Sequence, residues 1–526
     1  METRTTKSPG LEDIPYLFHH ILSLLPVKEA ACTCVLSKSW LHAWSTIPKL
    51  RFNQSIMLLK QLDDYINLID RTLLRYFEHN IPVVSFDLKI IIKDQESASL
   101  VEKMIEQWIR GLAPKRCFNE LCITYTDECW RIIKFTLPDE IFSGVNLTTI
   151  SVTVEHGYHN AVEMCRNPVI NCVSLQVLEL LHVNTSEEVL NKLLSTCTLL
   201  KKIKLYLNNK LKTTIKVKNL HFLRELEIRS LDKSVILEID DVPSLCLFTY
   251  TTFPRWSNPQ PFNMTSLGGV TDLCIGGVTM YDAYFDMINS KFPNLECLTL
   301  RTWFTGEKRW DITCVSLNRL DLILWQHTEA HQQIYAPKLL LFGYKGFIIP
   351  KLSFPNIVPK QINLKLLLNG PVDHLFFLKM REALSLSSGF DIEISYWSSD
   401  IVVPLNIDID NLRRKVPYPA TNVRQLLVEI DFEERMGEYL QFIDTFFSIC
   451  HPNYERVYRD KPSKDINSYK QMVKWMIEKK MPEVIDVWIK DPHTGKWEDQ
   501  TNVWRSSPEN LVSWYAISFQ LNWCSR

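Results

Sequence analysis

Apolar side chains recur along most of the chain at the spacing apolar-x-x-apolar-x-apolar. Triplets begin at Leu175, Leu200, Leu223, Leu245, Val270, Leu295, Leu317 and Leu339, so successive units start 25, 23, 22, 25, 25, 22 and 22 residues apart. Wider-spaced units begin at Val83, Phe118 and Leu147, and another at Val423. Within a triplet the alternation is that of a short strand with one buried face. A single unit of this size cannot bury its apolar residues alone. Stacking makes their core continuous, so the period predicts a pile of parallel strands joined by return segments.

The interval falls in the range of leucine-rich repeats. The Asn that normally follows the strand in such repeats is present in one unit (Asn208) and replaced by apolar residues in most others. The solenoid is therefore expected to be irregular, with variable return segments. Residues offset by one from the buried triplet positions point to the other, concave face. That face is predicted to carry Glu179, Lys202, Lys204, Tyr206, Glu225, Glu227, Arg229, Arg301, Trp303, Arg319, Asp321 and Trp325. Charged residues mixed with Trp and Tyr match the composition of protein-binding hot spots. Lys202, Lys204, Tyr206, Glu227, Arg229, Arg301, Trp303, Arg319 and Trp325 are the candidates for contact with a bound protein. The stretch Lys201–Arg224 holds eight basic residues and no acidic one. It is either a solvated face or a site for an acidic or phosphorylated ligand.

The first fifty residues follow a different period. Pro15 suits the first turn of a helix. Leu17, Ile21, Leu24 and Leu25 then recur at helical spacing until Pro26 ends the run. A second helix is expected from about Lys28 to Val35, and Ser37 is a good N-cap for a third. Trp40, Leu41 and Trp44 are expected on one face of it, with Pro48 as the stop. A module of about forty residues cannot enclose this many large apolar side chains. Part of its surface must be covered by something else.

Ile14-Pro15, Ile21-Leu22-Ser23-Leu24-Leu25-Pro26, Lys28-Glu29-Ala30, Val35-Leu36-Ser37-Lys38-Ser39-Trp40 and Trp44 follow one another in an order that resembles the F-box. The usual opening Leu is Ile14 here, and the usual Arg before the Trp is Ser39, which removes a positive charge. The phrases KFPNLECLTL (291–300) and YAPKLLLFGY (335–344) resemble the loop-to-strand passage of plant F-box repeat proteins. The resemblance implies binding to a Skp-family linker protein, and through it to a cullin and a RING subunit. Ile14, Pro15, Leu17, Ile21, Leu22, Leu25, Pro26, Val35, Leu36, Ser37 and Trp40 are the candidates for that interface, some of which must instead pack the helices together.

Composition narrows the remaining choices. With 59 basic and 60 acidic residues, net charge is -1, which gives no general attraction to nucleic acid or an acidic membrane. No run of about 20 apolar residues suggests a membrane span. The opening METRTTKSPGLEDIP has no apolar h-region, so no secretory signal is expected and cytoplasm or nucleus is the expected location. The fourteen cysteines form no CxxC pair, which favours free thiols. No phosphate-binding glycine loop, nucleophile elbow or cofactor fingerprint occurs. His327 and His331 are spaced to share a metal if helical, but without a third ligand, so neither a metal nor a cofactor is expected.

Together these observations predict an α/β chain: an N-terminal three-helix F-box, an irregular leucine-rich-repeat solenoid with a parallel sheet on its concave face, and a C-terminal cap. The expected limits are a disordered tail at 1–10, the three-helix module at 11–52, a helical linker at 53–80, the solenoid at 81–430 and an α/β cap at 431–526. Within the cap, 467–480 is expected to be an amphipathic helix, Glu483–Lys490 a strand and Asp491–Gly495 a turn. The expected role is a non-catalytic ubiquitin-ligase adaptor that selects an unknown protein substrate. The alternatives are a non-ligase binding scaffold and a small-molecule sensor on the same frame.

Overall fold

The computed structural model describes residues 15–25, 27–57, 61–127, 135–155, 162–164, 168–207, 213–230, 235–252, 263–264, 267–279, 282–303, 310–325, 331–355, 357–368, 372–396, 407–429, 436–458, 483–490, 496–506 and 516–523. The chain divides into two compact units, Met1–Val270 and Thr271–Arg526.

The first unit opens with three helices, α1 (Pro15–Leu24), α2 (Val27–Cys32) and α3 (Lys38–Ser45), with a tighter turn of helix at Thr33–Val35. Ser37 has extended backbone and its Oγ accepts from the Trp40 amide at 3.3 Å, so it caps α3. Phe18, Leu22, Ala30 and Ala43 make a small core, with Leu25, Trp40, Trp44 and Ile47 packed against it. The Phe18 and Trp40 rings meet edge to face, centroids 4.6 Å apart. Ser37→Ala is expected to cost about 1 kcal/mol of helix stability. Faster hydrogen exchange at the Trp40 amide would show it, and unchanged protection would refute the cap.

Two hydrogen bonds tie this module to the long helix Leu62–Glu78. From that helix Tyr76 Oη donates to the Ile47 carbonyl at 2.9 Å, and Arg75 donates to the Ser45 carbonyl at 3.1 Å. Lys49–Asn53, expected to end the helical module and open a helical linker, is instead the first strand, with Leu50 and Phe52 buried. Its alternation is only five residues long, and the helical pattern before it hides it.

From that strand a parallel sheet runs through Ser85–Ile92, Glu120–Asp127, Thr149–Glu155, Val177–Leu181, Lys202–Leu207, Glu225–Ser230 and Leu247–Thr252. Pairing is in register, so Leu178, Ile203, Leu226 and Phe248 form one buried row and Leu180, Leu205, Ile228 and Tyr250 the next. Across both units every triplet residue of the sequence pattern is buried, none more than 7% exposed. The return segments vary as expected. Some are helices, such as Gln95–Leu112 and Glu187–Thr196, and others are short parallel strands, such as Thr213–Lys218 on Val235–Asp240. Trp108 on the Gln95–Leu112 helix packs on Phe86 and donates from Nε1 to Asp70 at 3.1 Å.

A backbone ladder runs through the strand approaches. The first apolar residue of a triplet donates its amide three residues back, as Leu175 does to Cys172 and Leu223 to Leu220, both at 3.1 Å. The carbonyl just before a strand accepts two amides from the following repeat at most rungs. Thr148 takes Gln176 and Val177, Gln176 takes Lys201 and Lys202, and Lys201 takes Arg224 and Glu225. This ladder needs no Asn side chain; Asn208 lies outside the described residues.

The second unit repeats the plan. Parallel strands run in order through Asp272–Thr279, Cys297–Trp303, Arg319–Leu324, Leu341–Gly346, Gln361–Leu368, Phe390–Tyr396, Val423–Glu429 and Tyr454–Tyr458. Three of these, Gln361–Leu368, Phe390–Tyr396 and the last, Tyr454–Tyr458, carry no apolar triplet in the sequence. In the last, Glu455 stands where the triplet would have an apolar residue, and the first two differ at the residue that opens the triplet. Those opening residues are Pro359 and Ser387. Ser387 Oγ donates to the Pro359 carbonyl at 2.7 Å, and Asn422 Nδ2 donates to the carbonyls of Leu384 and Ser387. Hydrogen bonds replace apolar burial there, which is why the period skips them. The parallel run reaches Tyr458. Ala516–Asn522 then pairs antiparallel with Tyr454–Tyr458 and with the expected strand Glu483–Lys490. The helix expected at 467–480 and the turn at 491–495 lie outside the described residues.

Candidate functional site

On the three-helix module the structure separates packing residues from surface residues. Leu22 is core at 2% exposure, and Leu25 and Trp40 pack on that core. Leu17 and Ile21 are half-buried. Val35 and Leu36 stand out at 87% and 65% exposure. Pro15 starts α1, its side chain not among those described; Ile14 and Pro26 lie outside the described residues. Leu24 and Leu41, not chosen from sequence for this interface, are 72% and 52% exposed. The expectation that Trp40, Leu41 and Trp44 share a face is corrected. Trp40 and Trp44 turn inward, while Leu41, about 100° round the helix from Trp40, faces out.

The outward face of the first unit's sheet is ordered by ion pairs between adjacent strands. Lys202 Nζ lies 3.0 Å from Glu179 and 3.9 Å from Glu225. Lys204 Nζ lies 3.3 Å from Glu227. Glu227 also accepts from Tyr206 Oη and Arg229 Nε, each at 2.8 Å, and the Arg229 guanidinium sits 4.5 Å from the centre of the Tyr206 ring. Burial would raise the Glu227 carboxyl. The Tyr206 hydrogen bond and the charges of Arg229 and Lys204 outweigh it, so its pKa falls below the usual range. Burial, then the Glu227 contact, pushes the Tyr206 phenol up to about 12.

Three cations of the basic stretch, Lys202, Lys204 and Lys218, are thus paired, while no ion pair forms at Lys201, Lys216 or Arg224 among the described residues. The counter-charges of Lys202 and Lys204 sit one strand away, and Lys218 likewise meets Glu238 at 3.0 Å. Lys210 and Lys212 lie outside the described residues. Lys204→Ala is expected to cost about 1 kcal/mol or less, since the pair is still reached by solvent and Glu227 keeps its bonds to Tyr206 and Arg229. A loss of several kcal/mol in denaturant unfolding would contradict this.

The second unit brings Arg301, Arg319 and Asp321 to an open depression of ≈ 500 Å³ on its outward strand face. Arg319 Nε donates to Asp321 at 2.7 Å. Trp325 lies at its margin, its ring 5.6 Å from Lys345 Nζ. Trp303 ends its strand, its side chain not among those described. Sequence reasoning missed Lys345, Asn363, Lys365, Asp391 and Glu393, which also line the depression. Lys345 was findable by continuing the alternation past Tyr344, but the others lie on Gln361–Leu368 and Phe390–Tyr396, which carry no triplet. Gly343 belongs to the same surface. A Cβ there would collide with Asp321 Oδ1, so glycine leaves room for that carboxylate.

Among the described residues no three His, Cys, Asp or Glu side chains are grouped to hold a metal ion. His331 begins a strand rather than lying on a helix, which removes the helical spacing with His327; His327 itself is outside the described residues. No helix among the described residues is long and apolar enough to cross a membrane.

Comparison with known proteins places this frame. Residues 105–253 match the family model described as the LRR repeats of FBD-associated F-box protein At5g56370. The chain is similar to F-box/LRR-repeat protein At5g41840 of Arabidopsis thaliana, 29% identical over 209 residues, covering 37% of this chain and 36% of that protein. It is 30% identical over 214 residues to F-box protein At5g03100 of the same plant, covering 40% and 60%. To the F-box/FBD/LRR-repeat protein At4g26350 it is 29% identical over 194 residues, covering 36% and 40%. The aligned parts therefore span between 36% and 60% of these relatives' own lengths.

Proposed function

We propose that this relative of the plant F-box/LRR-repeat proteins is the substrate-recognition subunit of a Skp–cullin–F-box ubiquitin ligase. In this reading α1–α3 dock onto a Skp-family linker protein, which carries the cullin and RING subunit. The outward strand faces hold a target protein. The chain performs no chemistry itself. It raises the local concentration of the target's lysines near the ligase's ubiquitin thioester. The proposed setting is cytoplasm or nucleus.

One observation carries the reading. The module has its own small core, yet leaves Leu24, Val35, Leu36 and Leu41 more than half exposed. Covering a large aliphatic side chain contributes about 1.5–3 kcal/mol. Four of them on one small module are a strong incentive for a partner. The test is co-purification of the full chain with a recombinant Skp-family linker protein. Formation of a stoichiometric complex supports the assignment, and its absence at micromolar concentrations rejects it.

A further inference from the structure

The depression in the second unit has an unequal charge balance. In register across the strands, Arg301, Ile323, Lys345, Lys365 and Glu393 form one outward row. The neighbouring row carries Asp321, Gly343, Asn363 and Asp391. Each carboxylate of the two rows is already engaged by a cation. Arg319 holds Asp321, Arg424 holds Asp391 through both its oxygens, and Lys365 holds Glu393. Arg301 and Lys345 remain without a carboxylate contact among the described residues, one on each side of Ile323.

Two further observations give those cations a direction. Strands lie about 4.8 Å apart, so the two backbones are about 10 Å apart. Both side chains are long enough to converge over the smaller Ile323. Burial, with repulsion from Lys365 and Arg301, also holds the Lys345 ammonium below the usual lysine range, despite the opposing pull of Glu393 and Glu429. A partly buried cation with cations beside it gains from an arriving anion. The depression, at ≈ 500 Å³, falls within the size range of ligand sites.

We propose that this depression seats an oxyanion group, carboxylate or phosphate, carried by an acidic segment of the target protein and gripped between Arg301 and Lys345. Acidic-ligand recognition thereby moves from Lys202 and Lys204, each held by a carboxylate, to a place where two cations have no carboxylate contact among the described residues. The proposal rests on the strand faces being the target-binding surface. The linker-docking residues take no part in it, so either claim can fail alone.

The test is fluorescence anisotropy with the full chain at low ionic strength. The probes are labelled hexaglutamate, hexalysine, and a Gly-Ser hexapeptide with and without one phosphoserine. Saturable binding of hexaglutamate or the phosphopeptide, and none of hexalysine or the unphosphorylated peptide, is expected. The tighter of the two anionic probes identifies the group. Arg301→Ala with Lys345→Ala is expected to weaken binding about tenfold or more, as lost charge-assisted hydrogen bonds do. Lys202→Ala with Lys204→Ala is expected to leave it within about twofold. Ile323→Glu, which places a carboxylate between the two cations, is expected to abolish it without removing either. Equal binding by all variants, equal binding of hexalysine, or no saturable binding of either anionic probe would overturn the proposal.

Discussion

Val35→Asp with Leu36→Asp is expected to lower affinity for a Skp-family linker by two to four orders of magnitude while leaving the chain's thermal unfolding nearly unchanged. Both side chains are well exposed, at 87% and 65%, so they contribute little to folding in the isolated chain. Covered by a partner, they would together contribute about 3–6 kcal/mol, and each 1.4 kcal/mol is a factor of ten in affinity. Aspartate removes that gain and adds a charge that would be buried at the contact. Leu22→Asp makes the contrast, because Leu22 is core and its loss should unfold the module. Calorimetric titration with the purified linker measures the effect. Wild-type affinity in the doubly substituted chain would end the docking reading, whatever the strand faces bind.

The largest expected loss of stability comes from Trp108→Ala, about 3–5 kcal/mol. Trp108 is 2% exposed and ties three elements together. Its ring packs on Phe86 of the Ser85–Ile92 strand, and its Nε1 donates to Asp70 of the Leu62–Glu78 helix. Truncation opens a cavity and strips Asp70 of a donor. Because the same helix holds Ile47 and Ser45 through Tyr76 and Arg75, the damage should spread to the three-helix module. Denaturant unfolding followed by tryptophan fluorescence reads it. A change under about 1 kcal/mol would mean that this corner is loosely packed, contrary to its burial.

The fold was legible where apolar burial alone defines a repeat. The interval between triplets located strands in both units because each rung needs the same three buried side chains. It missed Gln361–Leu368 and Phe390–Tyr396 because Ser387, Pro359 and Asn422 close those turns through hydrogen bonds. It missed Lys49–Asn53 because five alternating residues after three helices carry too weak a period. The candidate sites were legible in kind but not in balance. Lys202 and Lys204 looked like free cations because their partners, Glu179 and Glu227, lie 23 residues away in sequence and one strand away in space. Likewise, spacing brought Trp40, Leu41 and Trp44 together, and only packing shows that Leu41 turns outward.

The carbonyl ladder ahead of the strands bears on how such a chain can diverge. Its acceptors include the carbonyls of Thr148, Gln176, Lys201 and Arg224, four residues whose side chains have nothing in common, because the paired amides meet the peptide oxygen. Registration between coils is thus written in a part of the polymer that every substitution except proline, which lacks the donor N–H, leaves in place. Mutation is free to rewrite the outward residues while the scaffold keeps its pitch, and identities near 29% with its relatives are what such a frame permits.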